Sequence, residues 1–142
     1  MIRKFETQDL DAVMLIWLHG NLDAHAFIPA SFWTEHFEIV RDMLPQAELY
    51  VHENEATRQI DGFIGLTENH IEGIFVAKAA RSKGIGRALL EYAKSRKPRL
   101  TLSVYQKNER ALAFYRREQF VVQSEGIDED TNEAEIQMLW TR

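Results

Sequence analysis

The chain has 142 residues, 45% of them hydrophobic and 27% charged, with no cysteine and a formal net charge of −5. This length and balance predict one globular domain that buries about two-thirds of its unfolded surface. They exclude disulfides, thiolate metal sites and a cysteine nucleophile, and the acidic total argues against broad nucleic-acid binding.

No apolar run approaches the roughly 20 residues of a membrane span, so no membrane partner is expected. Met1 to Glu6 lacks the apolar core of a secretory signal, which makes a cytoplasmic location the expectation. Ile2 to Phe5 reads as a short strand, and Thr7 as the cap of a helix striped by Leu10, Val13, Met14, Trp17 and Leu18. A loop from Asn21 to Ile28 leads to Pro29, suited to a helix start. The second helix carries Phe32, Trp33, Phe37, Ile39 and Val40 and ends before Pro45.

The period then changes from helical to alternating. Leu49 to Glu53 and Ile60 to Thr67 read as strands around a polar turn, and Glu68-Asn69-His70 turns into the strand Ile71 to Val76. Such short polar connections predict antiparallel hairpins. Ile85, Ala88, Leu89, Tyr92 and Ala93 recur at helical spacing, Pro98 stops that helix, and Leu100, Leu102 and Val104 face one way along a strand. A helix from Glu109 to Glu118 follows, and two strands, Phe120 to Ser124 and Ala134 to Trp140, close the chain around an acidic segment. The order is β-α-α-β-β-β-α-β-α-β-β, an α+β plan without repeats or linkers, and residues 1–142 read as a single domain.

Between the strand ending at Val76 and its following helix lies Arg81-Ser-Lys-Gly-Ile-Gly-Arg87. A loop of this kind aims backbone N–H groups and the positive end of a helix dipole at one spot, which suits a pyrophosphate; the alternative is a glycine-containing turn with solvated cations. Seven of the 17 Lys and Arg residues fall between Arg81 and Arg99. Positive charge so concentrated in an acidic chain suits a phosphorylated small ligand better than a polymer. The five histidines show no metal-ligand spacing, so no metal is expected. His25 reads either as a pocket-lining residue or as a loop histidine that caps structure.

Three linked pieces carry a resemblance along nearly the whole chain. Arg81-Ser-Lys-Gly84-Ile-Gly86 follows (Arg or Gln)-x-x-Gly-x-(Gly or Ala), and it sits between an apolar strand and an Ile/Leu-rich helix. Asn108-Glu-Arg-Ala111-Leu-Ala-Phe114-Tyr115-Arg-Arg-Glu-Gln-Phe120 follows Asn-x-x-Ala-x-x-Phe-Tyr-x-x-x-Gly-Phe, with Gln119 where glycine is usual. Together they resemble the GNAT superfamily of acyl-CoA N-acyltransferases, most closely its small bacterial single-domain members.

The resemblance implies a GNAT-like fold: a mixed, mostly antiparallel sheet of about seven strands flanked by about four helices, opened into a V between two strands. It implies an N-acetyltransferase that moves the acetyl group of acetyl-CoA to a primary amine, on a protein lysine or a small molecule, by direct attack in a ternary complex. The absence of a cysteine carrier agrees with direct attack. A non-catalytic acyl-CoA-binding sensor is the alternative, and a monomer or a homodimer fits equally.

Carried across, backbone groups of Ile74, Phe75 and Val76 meet the acetyl carbonyl and pantetheine. Arg81, Ser82, Lys83, Gly84, Ile85, Gly86 and Arg87 hold the pyrophosphate, and Asn108 contacts the cofactor near its pantetheine. Tyr115 is expected to protonate the departing thiolate in a favourable transfer, the reference values being near 10 for a phenol and 8.5 for a thiol. Glu72 is the expected base, with its side chain on the face opposite Ile71 and Gly73; Glu68 and His70 rank behind it. Ser103 stands where peptide N-terminal acetyltransferases of the family often carry a catalytic glutamate. The glycine replaced by Gln119 normally adopts a left-handed helix cap, so a mildly strained or differently closed helix end is expected.

Overall fold

The computed structural model describes residues 1–142. Leu49, Val51 and Phe63 point to one face of the central sheet, while Tyr50, Ile64, Leu66, Ile71, Leu100, Leu102 and Val104 point to the other. Alternation that buries both faces requires helices on both sides. The strands are β1 (Ile2–Lys4), β2 (Glu48–Glu53), β3 (Ile60–Thr67), β4 (His70–Val76), β5 (Arg99–Tyr105), β6 (Val121–Asp128) and β7 (Glu133–Thr141). They form one seven-stranded sheet in the order β1-β2-β3-β4-β5-β7-β6. All neighbours are antiparallel except β4 and β5.

Helices α1 (Leu10–Ala24) and α2 (Ala30–Met43) cover the Leu49 face, and α3 (Ile85–Arg96) and α4 (Glu109–Arg117) cover the Leu102 face. Helix α1 buries Val13, Met14, Ile16, Trp17, Gly20 and Asn21, a wider face than its predicted stripe. Gly20 lets it press on β4, because a Cβ there would come within 2.8 Å of the Phe75 ring. No helix is long and apolar enough to cross a membrane.

Several local expectations are corrected. Thr7 opens a short 3-10 turn and does not cap α1; Asp9 holds that entry, accepting from Glu6 N–H (2.8 Å) and from both terminal nitrogens of Arg3 (2.8 and 3.0 Å). The Arg3 guanidinium pulls the Asp9 carboxyl below its usual range. Helix α1 continues through the expected loop to Ala24. In α2 only Trp33 is buried, and Ile39 faces solvent. Glu125 to Asp128 belong to β6, so the acidic loop is shorter than its composition suggests.

Candidate active site

Strands β4 and β5 pair only at His70↔Thr101 and Ile71↔Leu102. Beyond these pairs β4 follows β3 as far as Val76, while β5 follows β7 as far as Tyr105. The two strands therefore part, and a gap opens in the middle of the sheet. Ala77 N–H donates to Asp61 C=O (2.8 Å) on the β3 side. The alternation of an antiparallel ladder then turns the Phe75 backbone toward β3 and the Ile74 and Val76 backbones into the gap. Val76 C=O accepts from Arg81 Nε (3.3 Å), which agrees with that direction. The Phe75 backbone thus serves the β3 ladder, and its ring packs on Phe63 at 5.3 Å.

The loop leaving β4 meets the gap at its end. None of the backbone N–H groups from Ser82 through Arg87 donates to a carbonyl or side chain of the protein. Ser82 and Gly84 are left-handed, with φ of 65° and 84°, a geometry that curls successive N–H groups toward one spot. Gly84 is the N-cap of α3, so the helix dipole adds to the same point. Nothing lies within 4 Å of a Cβ placed on Gly84, so that glycine serves its backbone angle. At Gly86 a Cβ would meet Phe114 and Val76 at 3.8 Å, an ordinary contact. The end of β4, the phosphate loop and α4 converge there.

The cations divide differently from expectation. Arg81 is tied to Asp23 (3.4 Å) and to the Val76 carbonyl, and Arg87 lies 3.5 Å from Glu118. Only Lys83 of the three has no acidic partner within 4.0 Å. The N–H row and Lys83 are thus the groups of this loop without a partner in the protein.

Helix α4 packs on the Leu102 face of the sheet, with Phe114 beside Gly86 and Val76. Its N-cap is Asn108, whose Oδ1 accepts from Ala111 N–H (3.2 Å). Tyr115 is buried, its ring 5.2 Å from Phe114 and 5.5 Å from Phe120. Burial pushes its phenol well above the ordinary tyrosine range. The expected downhill transfer needs correcting: a phenol near 10 is a weaker acid than a thiol near 8.5, so giving a proton to a free thiolate runs uphill. Burial widens that gap. Tyr115 stays protonated and is suited to donate a hydrogen bond to sulfur as negative charge develops.

A β-bulge falls in β4, where Gly65 pairs Gly73 but Leu66 pairs Ile71. The bulge breaks the simple alternation: Glu72 stays opposite Ile71, yet Gly73 joins it on the α1/α2 face instead of facing away. Glu72 is exposed with no hydrogen bond or ion pair in the protein. His70 Nδ1 is 2.9 Å from Thr101 Oγ1, and Ser103 Oγ accepts from Gln137 Nε2 (3.3 Å). Glu68 lies in the β3–β4 turn with φ of 54°.

Glu135 was not singled out in the sequence. It pairs Tyr105 across β5 and β7, which brings it to the α1/α2 face of the sheet. Burial and nearby Asp128 push its carboxyl up from the usual value of 4.5. Its place follows from strand pairing, with Glu135, Gln137 and Leu139 opposite Tyr105, Ser103 and Thr101, and no local pattern signals it. No three His, Asp or Glu side chains converge to hold a metal ion.

A gap between parallel-paired strands, capped by a row of undonated N–H groups, is the frame of an acyl-CoA site. The acetyltransferase (GNAT) domain profile matches residues 45–122. The chain is 34% identical over 142 residues to peptidyl-lysine N-acetyltransferase YiaC of Escherichia coli (strain K12), covering 99% of this chain and 96% of that protein. Peptidyl-lysine N-acetyltransferase YjaB of the same organism is 35% identical over 121 residues, 85% of this chain and 82% of that one. The solution structure of apo-form YjaB from Escherichia coli matches with a TM-score of 0.88 at 31% identity, over 99% of this chain and 96% of that chain. The chain belongs to the GNAT acetyltransferase family. It is an acetyl-CoA-dependent N-acetyltransferase whose acceptor is an amine.

Proposed function

We propose that residues 1–142 work as one domain that acetylates the ε-amino group of lysine in a protein or peptide, by direct attack of the amine beside bound acetyl-CoA. Two relatives named peptidyl-lysine N-acetyltransferases, 34% and 35% identical, support that acceptor. The observation that carries the site is the row of N–H groups from Ser82 to Arg87, undonated within the protein and opening onto the β4–β5 gap.

The N–H groups of Ser82, Lys83, Gly84, Ile85, Gly86 and Arg87 fit a pyrophosphate, with Arg81 bracing the loop against Val76 and Asp23. Acetyl-CoA supplies an acetyl group already activated as a thioester. An N–H of Ile74 or Val76, turned into the gap, polarises the carbonyl. Asn108 at the head of α4 contacts the pantetheine arm. Glu72, unpartnered on its bulge, takes the proton of the acceptor ammonium directly or through water. Tyr115 donates a hydrogen bond to the leaving sulfur, and the proton that completes the thiol derives from the amine. Glu72 and Glu135 share the α1/α2 face and give a cationic acceptor a complementary surface.

The test is CoA release and peptide mass with a lysine peptide as acceptor, for wild type and Tyr115→Phe. Wild type should acetylate the lysine. The variant should lose about 100-fold in kcat while its Kd for acetyl-CoA stays within about twofold. Turnover confined to small amines would move the acceptor away from protein lysine, and an unchanged kcat in the variant would remove Tyr115 from the chemistry.

A further inference from the structure

A run of side-chain hydrogen bonds crosses from α1 to α4, and the chemistry above makes no use of it. Asn21, only 3% exposed, donates from Nδ2 to Trp17 C=O (2.9 Å). Its Oδ1 lies 3.0 Å from His25 Nδ1. His25 Nε2 lies 3.2 Å from Asn108 Nδ2, and Asn108 Oδ1 accepts from Ala111 N–H (3.2 Å). Each end of this run is a backbone group with one possible role, since a carbonyl only accepts and an N–H only donates. Every direction in between is thereby set. Asn21 Oδ1 must accept, so His25 Nδ1 carries the proton; Asn108 Nδ2 must donate, so His25 Nε2 is bare.

Only a neutral Nδ1–H imidazole closes this circuit. A protonated ring would present a second N–H to the Asn108 amide nitrogen. The amide would then have to turn over, releasing Ala111 and the cap of α4. The surroundings hold the ring neutral. Its centroid is 5.7 Å from Phe27, 5.5 Å from Trp33 and 4.9 Å from Tyr105, and burial lowers its pKa to about 4. The titratable groups packed around it are engaged elsewhere. Tyr105 OH donates to Asp128 (2.6 Å), the Lys107 ammonium lies over Phe27, and Asp23 pairs with Arg81.

We propose that His25 is a positioning residue for acetyl transfer: its neutral Nδ1–H tautomer pins one Nδ2 hydrogen of Asn108 and leaves the other directed to acetyl-CoA. The inference rests on the assignment of Asn108 to the pantetheine arm. His25 is the C-cap of α1 and Asn108 the N-cap of α4, so the bond joins the helix that packs on β4 to the helix that carries Tyr115. With His25 in place, the Asn108 amide neither rotates nor swaps its ends before the cofactor arrives.

The test combines a spectrum of the wild-type enzyme with a kinetic cycle. Ring ¹⁵N–¹H correlation should show His25 as the Nδ1–H tautomer at neutral pH and unprotonated down to about pH 5; an Nε2–H tautomer or an imidazolium at pH 7 overturns the inference. His25→Phe keeps an aromatic ring but removes both hydrogen bonds. It should raise KM for acetyl-CoA and lower kcat/KM about tenfold, the scale of one buried hydrogen bond. His25→Gln, whose Oε1 can accept from Asn108, should recover most of that loss, and His25→Phe combined with Asn108→Ala should be no worse than Asn108→Ala alone. A normal KM in Asn108→Ala would sink the assignment of Asn108 and this inference with it. A raised KM in Asn108→Ala beside a normal one in His25→Phe, or additive losses, would overturn the role of His25 alone.

Discussion

Tyr115 keeps its proton because Phe114 and Phe120 exclude water from its ring, and the acceptor face gives its two carboxylates opposite surroundings. Glu72 stands exposed on the β4 bulge, whereas Glu135 is pushed up by burial and by Asp128. As the base, Glu72→Gln should lower kcat/KM for a lysine peptide about 10- to 100-fold at pH 7. The loss should shrink as pH rises and the amine deprotonates by itself; initial rates from about pH 6.5 to 10 check this, and a parallel profile at all pH removes Glu72 from proton transfer. Glu135 carries the other sign. A raised carboxyl pKa means that folding disfavours the charged form, so stability is lost as pH climbs above the unfolded value of 4.5. Glu135→Gln should therefore raise the thermal midpoint at pH 7 and give no gain below about pH 4; equal midpoints at both would show that the carboxylate is not strained. Tyr115 and Asn108 became candidates in the sequence because motif spacing names them. Glu135 was not, since it reaches this face only through β5–β7 pairing, and the His25 bond to Asn108 joins segments that no local pattern connects.

Helix ends show where local chemistry meets tertiary demand. The C-terminus of α4 closes as a full Schellman motif: Gln119 N–H donates to Arg116 C=O (3.0 Å) and Phe120 N–H to Tyr115 C=O (2.9 Å). Gln119 occupies its left-handed position at φ 74°, so the expected strain at that residue is present. Gln119→Gly should stabilise the fold by about 1 kcal/mol, roughly 3 °C in midpoint; a lower midpoint would mean that the glutamine side chain holds the turn. In the phosphate loop the two glycines should part. Gly84→Ala strains a left-handed N-cap and should cost about 1 kcal/mol with a raised KM for acetyl-CoA, whereas Gly86→Ala, inside α3 with room for a Cβ, should leave the midpoint equal or slightly higher. Equal midpoints would contradict the reading of Gly84. Helical and alternating periods made the element order readable, but boundaries moved where a tertiary partner intervened. Asp9 displaced Thr7 because Arg3 stands beside it, and α1 ran on to Ala24 because His25 and Asn108 hold its end.

Across the whole molecule, the sheet is one surface that two helix pairs cover, and the gap between β4 and β5 interrupts it. Alternating apolar strands predicted the hairpins of β2, β3 and β4, since short polar turns leave few other pairings. Periodicity alone showed neither the parallel β4–β5 contact nor the insertion of β7 between β5 and β6, because both join segments far apart in sequence; the V between two strands came only with the family resemblance. The same distance hid the acceptor face. The basic stretch from Arg81 was visible in composition, yet the fold pairs Arg81 and Arg87 with Asp23 and Glu118, and the proposed pyrophosphate site therefore rests on the N–H row and Lys83. Backbone amide shifts of ¹⁵N-labelled protein titrated with acetyl-CoA test that arrangement most directly. The largest changes should fall on Ser82 to Arg87 and on Ile74 and Val76, with Phe75 moving less. Saturable binding whose changes lie elsewhere, or no change at millimolar acetyl-CoA, would contradict the account.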